Sequence, residues 1–333
     1  IYPNGARGET YTETAKAGSL YDPRTATSAW SRNGILASLW ALQHPQFGAL
    51  PLSDFSLSSW EAAADIADQQ TLNGDSELQA RYTLSGLITA PNPGEGASSV
   101  TARISEFLTS TDSTLYEDPE DDGKLAIQVG VPRTDPNPAL TTSEVLSFSR
   151  QKGPGILAGY DGVRVKYTEP DLSFQENITP PYGVKDGVEG FITTDSSALN
   201  IQTIELLSID NYDQALRIAK KLYLRAVAAT AVAEVNMAGI LYRIGDVISF
   251  DLPHLPSVQM YRVTQREVDL SRGEPRVILT LEAVADNYSD FDPGTEALQL
   301  DRPPLLNGQG IEISAPSGLR AAAVFPCALS SQR

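Results

Sequence analysis

The chain has one cysteine, Cys327, and two histidines, His44 and His254, among 333 residues. A single thiol excludes an intrachain disulfide framework. So few His and Cys ligands leave a zinc site almost nothing to draw on, and no metal or other cofactor is expected. Nothing near Cys327 in the sequence would lower a thiol pKa, so it is not expected to be reactive. Basic residues are also scarce: 25 Lys and Arg stand against 42 Asp and Glu, a net charge of −17. Tight binding to a phosphate backbone needs cations that displace counterions, so specific nucleic-acid binding is a poor fit. No apolar run approaches about 18 residues, so no membrane-spanning helix is expected. The motifs Gly-x-Ser-x-Gly and His-Glu-x-x-His are absent, as is a glycine loop that could cradle phosphates; Gly153-Pro-Gly155 reads as a hinge. The chain opens on Ile1 with no basic and apolar leader behind it. No signal peptide is therefore expected, and the missing initiator methionine is what a piece of a longer chain would show.

What is present is an ordinary globular composition, 41% hydrophobic, long enough for two or three cores. The stretch from Ile209 to Val284 organises it. Asp210 and Asp213 suit a helix start, and Ala215, Ile218, Ala219, Leu222 and Ala226 fall on one face. The other face carries Arg217, Lys220, Lys221 and Arg225, which reads as a solvated or subunit-facing surface. Four charges in so acidic a chain cannot make a nucleic-acid site. Thr230 to Val235, Val247 to Phe250, Val258 to Val268 and Arg276 to Val284 read as strands, the last two joined through Ser271-Arg-Gly273. In the last strand Val277, Leu279, Leu281 and Ala283 share a face. A helix leaning on a small antiparallel barrel would bury both apolar sets.

Upstream, Asn33 to Gln43 predicts a helix that Pro45 stops. A second follows, with Ser58 and Glu61 as a capping box and Trp60, Ala63, Ala64 and Ala67 facing one way. Trp40 and Trp60 are expected in the core of this pair. Arg81 to Thr89 predicts a strand, and Val100, Ile104, Phe107 and Leu108 a helix face capped by Ser98. Ser113 to Tyr116 and Lys124 to Val129 predict two strands flanking an acidic turn. Beyond a Gly/Pro-rich boundary at 153–159, Val163, Val165 and Tyr167 alternate, Glu169-Pro-Asp171 turns, and the chain pairs back at 174–177. Ile201 to Leu206 is the next strand. The acidic turn 117–123 offers oxygens at calcium-loop spacing from Asp118, but the closing ligand position is Val129, so it reads as a solvated hairpin tip. Glu61 with Asp65, or Asp118 with Glu120, could be catalytic carboxylate pairs. Capping and exposure explain them better, and no catalytic residue is assigned.

Several of these segments, in order, give the chain a resemblance to the tail hub, or tip-attachment, proteins of lambda-like siphophages. They are Leu-Trp-Ala-Leu-Gln-His-Pro-Gln-Phe-Gly at 39–48, Pro-Leu-Ser-Asp at 51–54, Glu-Ala-Ala-Ala-Asp at 61–65, Gly-Lys-Leu-Ala-Ile at 123–127 and the 140–149 segment. Further on come the acidic-Pro-Asp turn, the basic helix 215–222 and Gly-Asp-Val-Ile at 245–248. The resemblance covers roughly residues 31 to 285. It implies an α+β, multi-domain chain of antiparallel tube-like β-barrels with flanking helices and an inserted α/β lobe. Residues 1–30 and 156–200 would form a first tube-like domain, 31–155 the lobe, and 201–290 the helix with a second barrel. Residues 291–333 would be an extended linker towards a fibronectin-like domain. The implied role is structural, not enzymatic: a homotrimer in the virion tail tip, assembled in the host cytoplasm. Its implied partners are the distal tail protein, the tail tube, tape measure or other tip proteins, and the tail fibre. DNA would pass without specific binding. Arg217, Lys220, Lys221 and Arg225 are the interface residues expected on that reading. A host-surface binding module is the alternative, and it would need an exposed aromatic platform. A tail-associated hydrolase, the third class, would need a pocket with a perturbed acid.

Overall fold

The structure is a computed structural model. It describes residues 19–296 apart from 46, 75, 86–96, 119, 131–139, 152–159, 171–174, 194–195, 254, 256–258 and 271–274. The sequence expectations at Ser98, Val100, His254, the 153–159 boundary, the Ser271-Arg-Gly273 turn, the fibronectin-like lead and Cys327 fall outside the residues or side chains it describes. The chain is α+β and divides into two compact units, with residues 19–31 in one and 32–296 in the other.

In the first unit, β1 (Ser19–Asp22) and β2 (Thr27–Trp30) form an antiparallel hairpin. Asp22 accepts from the Arg24 backbone and guanidinium across its turn.

The second unit opens with α1 (Gly34–Gln43) and α2 (Leu57–Asp68). Asn33 caps α1 by accepting from the Ile35 and Leu36 amides, and its own amide donates to the Ala64 carbonyl of α2. One polar side chain thus starts a helix and ties it to the next. The cap of α2 is Ser56, not Ser58, which lies inside the first turn. Trp60, Ala63, Ala64 and Ala67 are buried as their spacing predicts, and the Trp60 indole donates to the Leu125 carbonyl. Trp40 is only partly buried, tilted against His44 and Phe47. A small hairpin follows, β3 (Gln70–Leu72) with β4 (Leu78–Ala80). Of the strand expected from Arg81, the described part holds only an isolated bridge between Thr83 and Asn33. Next come α3 (Ala97–Ser110) and the hairpin β5 (Ser113–Asp118) and β6 (Lys124–Val129), which lies against α2.

β7 (Val145–Gln151) leaves this region to join a distant sheet. β8 (Gly162–Glu169) carries Val163, Val165 and Tyr167 on its fully buried face. Along one side it pairs with β9 (Gln175–Ile178) and β10 (Tyr182–Lys185), and β10 pairs with β11 (Val188–Phe191). The β10–β11 turn is Asp186-Gly187, both residues in the left-handed region as a tight hairpin demands. β12 (Ile201–Glu205) lies parallel to β8 on the other side. The first sheet is therefore mixed, with β11 and β12 at its edges.

α4 (Tyr212–Val227) comes next, capped by Asn211 accepting from the Gln214 amide. Asp210, expected as the cap, pairs with Arg32 instead. α4 packs across β8 and β10. The second sheet runs in the order β14 (Val247–Phe250), β15 (Gln259–Asp269), β16 (Arg276–Ala283), β13 (Thr230–Val235), β7. Its interior holds Val277, Leu279 and Leu281 with Ala231, Ala233, Val235, Ile248, Tyr261 and Val263. The edges roll towards each other. Phe148 of β7 and Phe250 of β14 lie 5.1 Å apart, both against Tyr261. Leu140, just before β7, makes a parallel bridge with Phe250, with hydrogen bonds of 2.8 and 3.0 Å. β16 sits in the middle of this sheet. Flanked on both sides, its apolar run needs no edge safeguard.

Candidate functional site

The charged face of α4 is the feature with most chemistry. Chain packing turns it inward. Lys221 is 7% exposed; its Nζ donates to Asp112 Oδ2 at 2.6 Å and to the Tyr82 hydroxyl at 2.8 Å. The Tyr288 hydroxyl donates to Asp112 Oδ1 at 2.8 Å, and Arg262 of β15 lies over the Tyr288 ring and donates to its hydroxyl. A single buried cluster thus joins the α3–β5 junction, α4, β15 and the segment after β16.

Burial alone would raise the Asp112 pKa. The charges of Lys221 and Arg262, with hydrogen bonds from Lys221 and Tyr288, outweigh it and hold the carboxyl below its usual range. Burial also opposes the charge on Lys221, and Asp112 reverses that, so its pKa is raised. Tyr288 is raised by burial first and then by Asp112, which keeps it a hydrogen-bond donor. Asp112 reaches this position with φ +49°, a left-handed backbone that costs a non-glycine residue energy. Gly130 makes room: a Cβ there would lie 1.9 Å from Asp112 Oδ2, and the Gly130 amide donates to the Asp112 carbonyl.

The other residues expected at an interface are placed as follows. Lys220, 3% exposed, holds the Asp290 carbonyl and the Glu296 carboxylate at 2.6 and 2.8 Å. Arg217, 8% exposed, donates to Thr71 Oγ1 and the Arg81 carbonyl. Arg225, the one with a substantially exposed side chain (38%), lies 3.5 Å from Glu282. The structure therefore differs from the surface reading for Arg217, Lys220 and Lys221. The helix alone gave no sign that the β3–β4 hairpin, Asp112 and Glu296 cover that face.

Asp118 and Glu120 both meet Arg243, and Asp121 holds Lys124 at 2.7 Å. Asp65 lies on the exposed side of α2, and Glu61 is half-buried. Among the described residues no group of three or more His, Cys, Asp or Glu is placed to hold a metal. No described helix is long and apolar enough to cross a membrane. Asp112, Tyr82, Arg262 and Tyr288 carried no local signal that would have linked them.

No family model matches the sequence. No curated protein matches it either. Among solved structures, the chain is similar to one from the virion of a native gene transfer agent particle. Identity there is 16% and the TM-score 0.46, over 86% of this chain and 54% of that one. It is similar to a tail protein from Neisseria meningitidis MC58, with 16% identity and TM-score 0.41 over 68% of this chain and 66% of that one. It is also similar to the 43 kDa tail protein of prophage MuSo2 from Shewanella oneidensis, with 11% identity and TM-score 0.38 over 61% and 56%. The chain spans little more than half of the gene transfer agent chain. These scores fall short of a shared overall fold, so the functional argument rests on the residues and elements of this chain.

Proposed function

We propose that the chain is a virion structural protein, the tail hub subunit of a siphophage-type tail tip. It rings the DNA channel and connects the tail tube and distal tail ring to fibre or tip proteins. One observation carries this. The segments that resemble tail hubs fall, in chain order, on elements of one compact unit: α1 and its turn, α2, β6, β7, β8, α4 and the entry to β14. The sheets held by α4 and its buried ion pairs make a stiff scaffold, which a load-bearing ring needs more than it needs a cleft. The surface chemistry agrees with a channel role. At −17 per chain, a ring of copies repels passing DNA and lets it slide with little adhesion.

The ring is a homotrimer. β11 and β12, the outer strands of the mixed sheet, replace the helix face as the contact. They have no pairing partner on their outer sides among the described residues, and open edges accept strands from neighbours. Each subunit contact buries more than about 1,000 Å². Native mass spectrometry of the purified chain tests this, with and without prolines introduced at Ile201 and Thr203, whose amides lie on the outer side of β12. A trimer dissociated by the prolines is expected. A monomer at all concentrations overturns the proposed ring.

A further inference from the structure

The segment after β16 lies against α4 and is fastened to it in two different ways. Residues 286–296 carry Asp286, Asp290, Asp292 and Glu296 and no Lys or Arg, so only a cation outside the segment can hold its acidic end. Tyr288 is the inner fastening. It is buried, packs with Tyr182, Tyr223 and Leu224, and its hydroxyl joins Asp112 and Arg262. Lys220 is the outer fastening. Its Nζ donates to the Asp290 carbonyl and to both Glu296 carboxylate oxygens, at 2.6, 2.8 and 3.0 Å. Between these points the Phe291 ring lies beside the Arg217 guanidinium. The other hydrogen bonds of 290–296 among the described residues stay within 287–296. The Asp292 carboxylate accepts from the Gly294 amide, its carbonyl accepts from the Thr295 and Glu296 amides, and the Asp290 amide donates to the Asn287 carbonyl. Ser289, Asp290, Asp292, Gly294 and Thr295 are exposed.

We infer that residues 289–296 are a releasable strap, with Tyr288 as its fixed end and Lys220 as its latch. The contrast between the two fastenings decides which end opens. Tyr288 cannot leave without breaking up the buried cluster around Asp112. The outer end is held through one ammonium group, and its acceptors meet water as soon as they part from it; the Glu296 side chain is already 26% exposed. Segments with few buried apolar contacts are the ones that open locally while the rest stays folded. The turn at Asp292 makes its own hydrogen bonds, so the strap can lift and reseat without losing them. Lifting uncovers Lys220, whereas Lys221 stays with Asp112 and Tyr82. It also lengthens the tether to the chain that continues beyond Glu296: drawn straight, the stretch from Ser289 to Glu296 reaches about 26–29 Å. A single chain carries the whole device, so its failure would leave the ring reading untouched.

The test is acetylation of lysines in the folded full chain by N-hydroxysuccinimidyl acetate, with each site followed by tandem mass spectrometry. The wild type, Glu296→Gln and Phe291→Ala are compared. Static burial ranks Lys220, 3% exposed, as slower to react than Lys221, 7% exposed. The strap reverses that order: Lys220 should react about tenfold faster than Lys221, or more, because it needs only the local opening. Glu296→Gln weakens a charge-assisted hydrogen bond and should speed Lys220 by about tenfold again. Phe291→Ala leaves both Lys220 acceptors in place, loosens the strap and should also speed Lys220. Lys221 should keep its wild-type rate in both variants, which shows that the cluster stays closed. Equal rates for the two lysines in the wild type, or a slower Lys220, overturn the strap, because both then open only with the cluster. Acceleration in Glu296→Gln alone overturns it as well, since losing the carboxylate beside Nζ changes that amine without any opening.

Discussion

Replacing Lys221 by methionine keeps the aliphatic stem and removes the charge that faces Asp112. The pair is 2.6 Å long, with side chains 9% and 4% exposed, so water cannot replace the lost partner. Asp112 would retain the Tyr288 hydrogen bond and the nearby Arg262, but its close counter-ion would be gone. Breaking a buried pair from one side costs about 3–5 kcal/mol, because the remaining charge is left uncompensated. For a unit of this size that lowers the melting midpoint by about 6–20 °C. Arg225→Met is the control: its partner Glu282 is 3.5 Å away and its side chain is 38% exposed, so the loss should not exceed about 1 kcal/mol. The double variant Asp112→Asn with Lys221→Met removes both charges and should recover a large part of the single-variant loss. Chemical and thermal unfolding of the four proteins measures all of this. A Lys221→Met cost no larger than that of Arg225→Met would refute the claim that this pair is a buried junction.

The pH dependence follows from the same cluster. Asp112 has a lowered folded pKa, so its stabilisation is present above the ordinary aspartate value and is lost as pH falls through the lower folded one. Acid titration of wild type minus Asp112→Asn should isolate that loss; identical acid limbs contradict it. Lys221, with a raised folded pKa, contributes fully below the ordinary lysine value and loses its contribution only as pH rises through the higher folded one. The Lys221 contribution to wild-type stability should therefore start to fall near the ordinary lysine value, about pH 10, and keep falling above it. Gly130→Ala forces a carbon onto the Asp112 carboxylate and should cost at least as much as Lys221→Met, read by the same denaturant curves. Trp60→Ala removes a fully buried indole and its bond to Leu125, and should cost about 3–5 kcal/mol. Purified protein should release no product from peptidoglycan or capsule; turnover abolished by changing one carboxylate of this chain would contradict a structural role.

Strand periodicity was the most legible feature. The alternation of Val163, Val165 and Tyr167, and of Val277, Leu279 and Leu281, put the right side chains inside, because one residue of slip would expose the whole set. Helix ends were less legible. Asp210 and Asn211 are both good caps, and the choice fell to Asn211 once Arg32 engaged Asp210. Ser56 and Ser58 pose the same ambiguity at α2. Pairing partners were not legible at all. That β16 is central, that β7 crosses to the second sheet, and that β12 lies parallel to β8 are long-range facts with no local trace. The β10–β11 hairpin does have a local trace, the Asp186-Gly187 turn pair. The basic helix face shows the limit most clearly. Spacing put Arg217, Lys220 and Lys221 together, but Asp112, Glu296 and the β3–β4 hairpin that bury them lie far away in sequence.

The central claim is a ring of this chain around the channel at the tail tip. The most direct measurement is electron microscopy of intact particles in which the chain carries a bulky tag at an exposed loop, such as the Asp186-Gly187 turn. The account predicts three tags spaced evenly about the tail axis at its distal end, around a lumen with an acidic wall. A single peripheral copy, or tags along the tail or on the capsid, would contradict it.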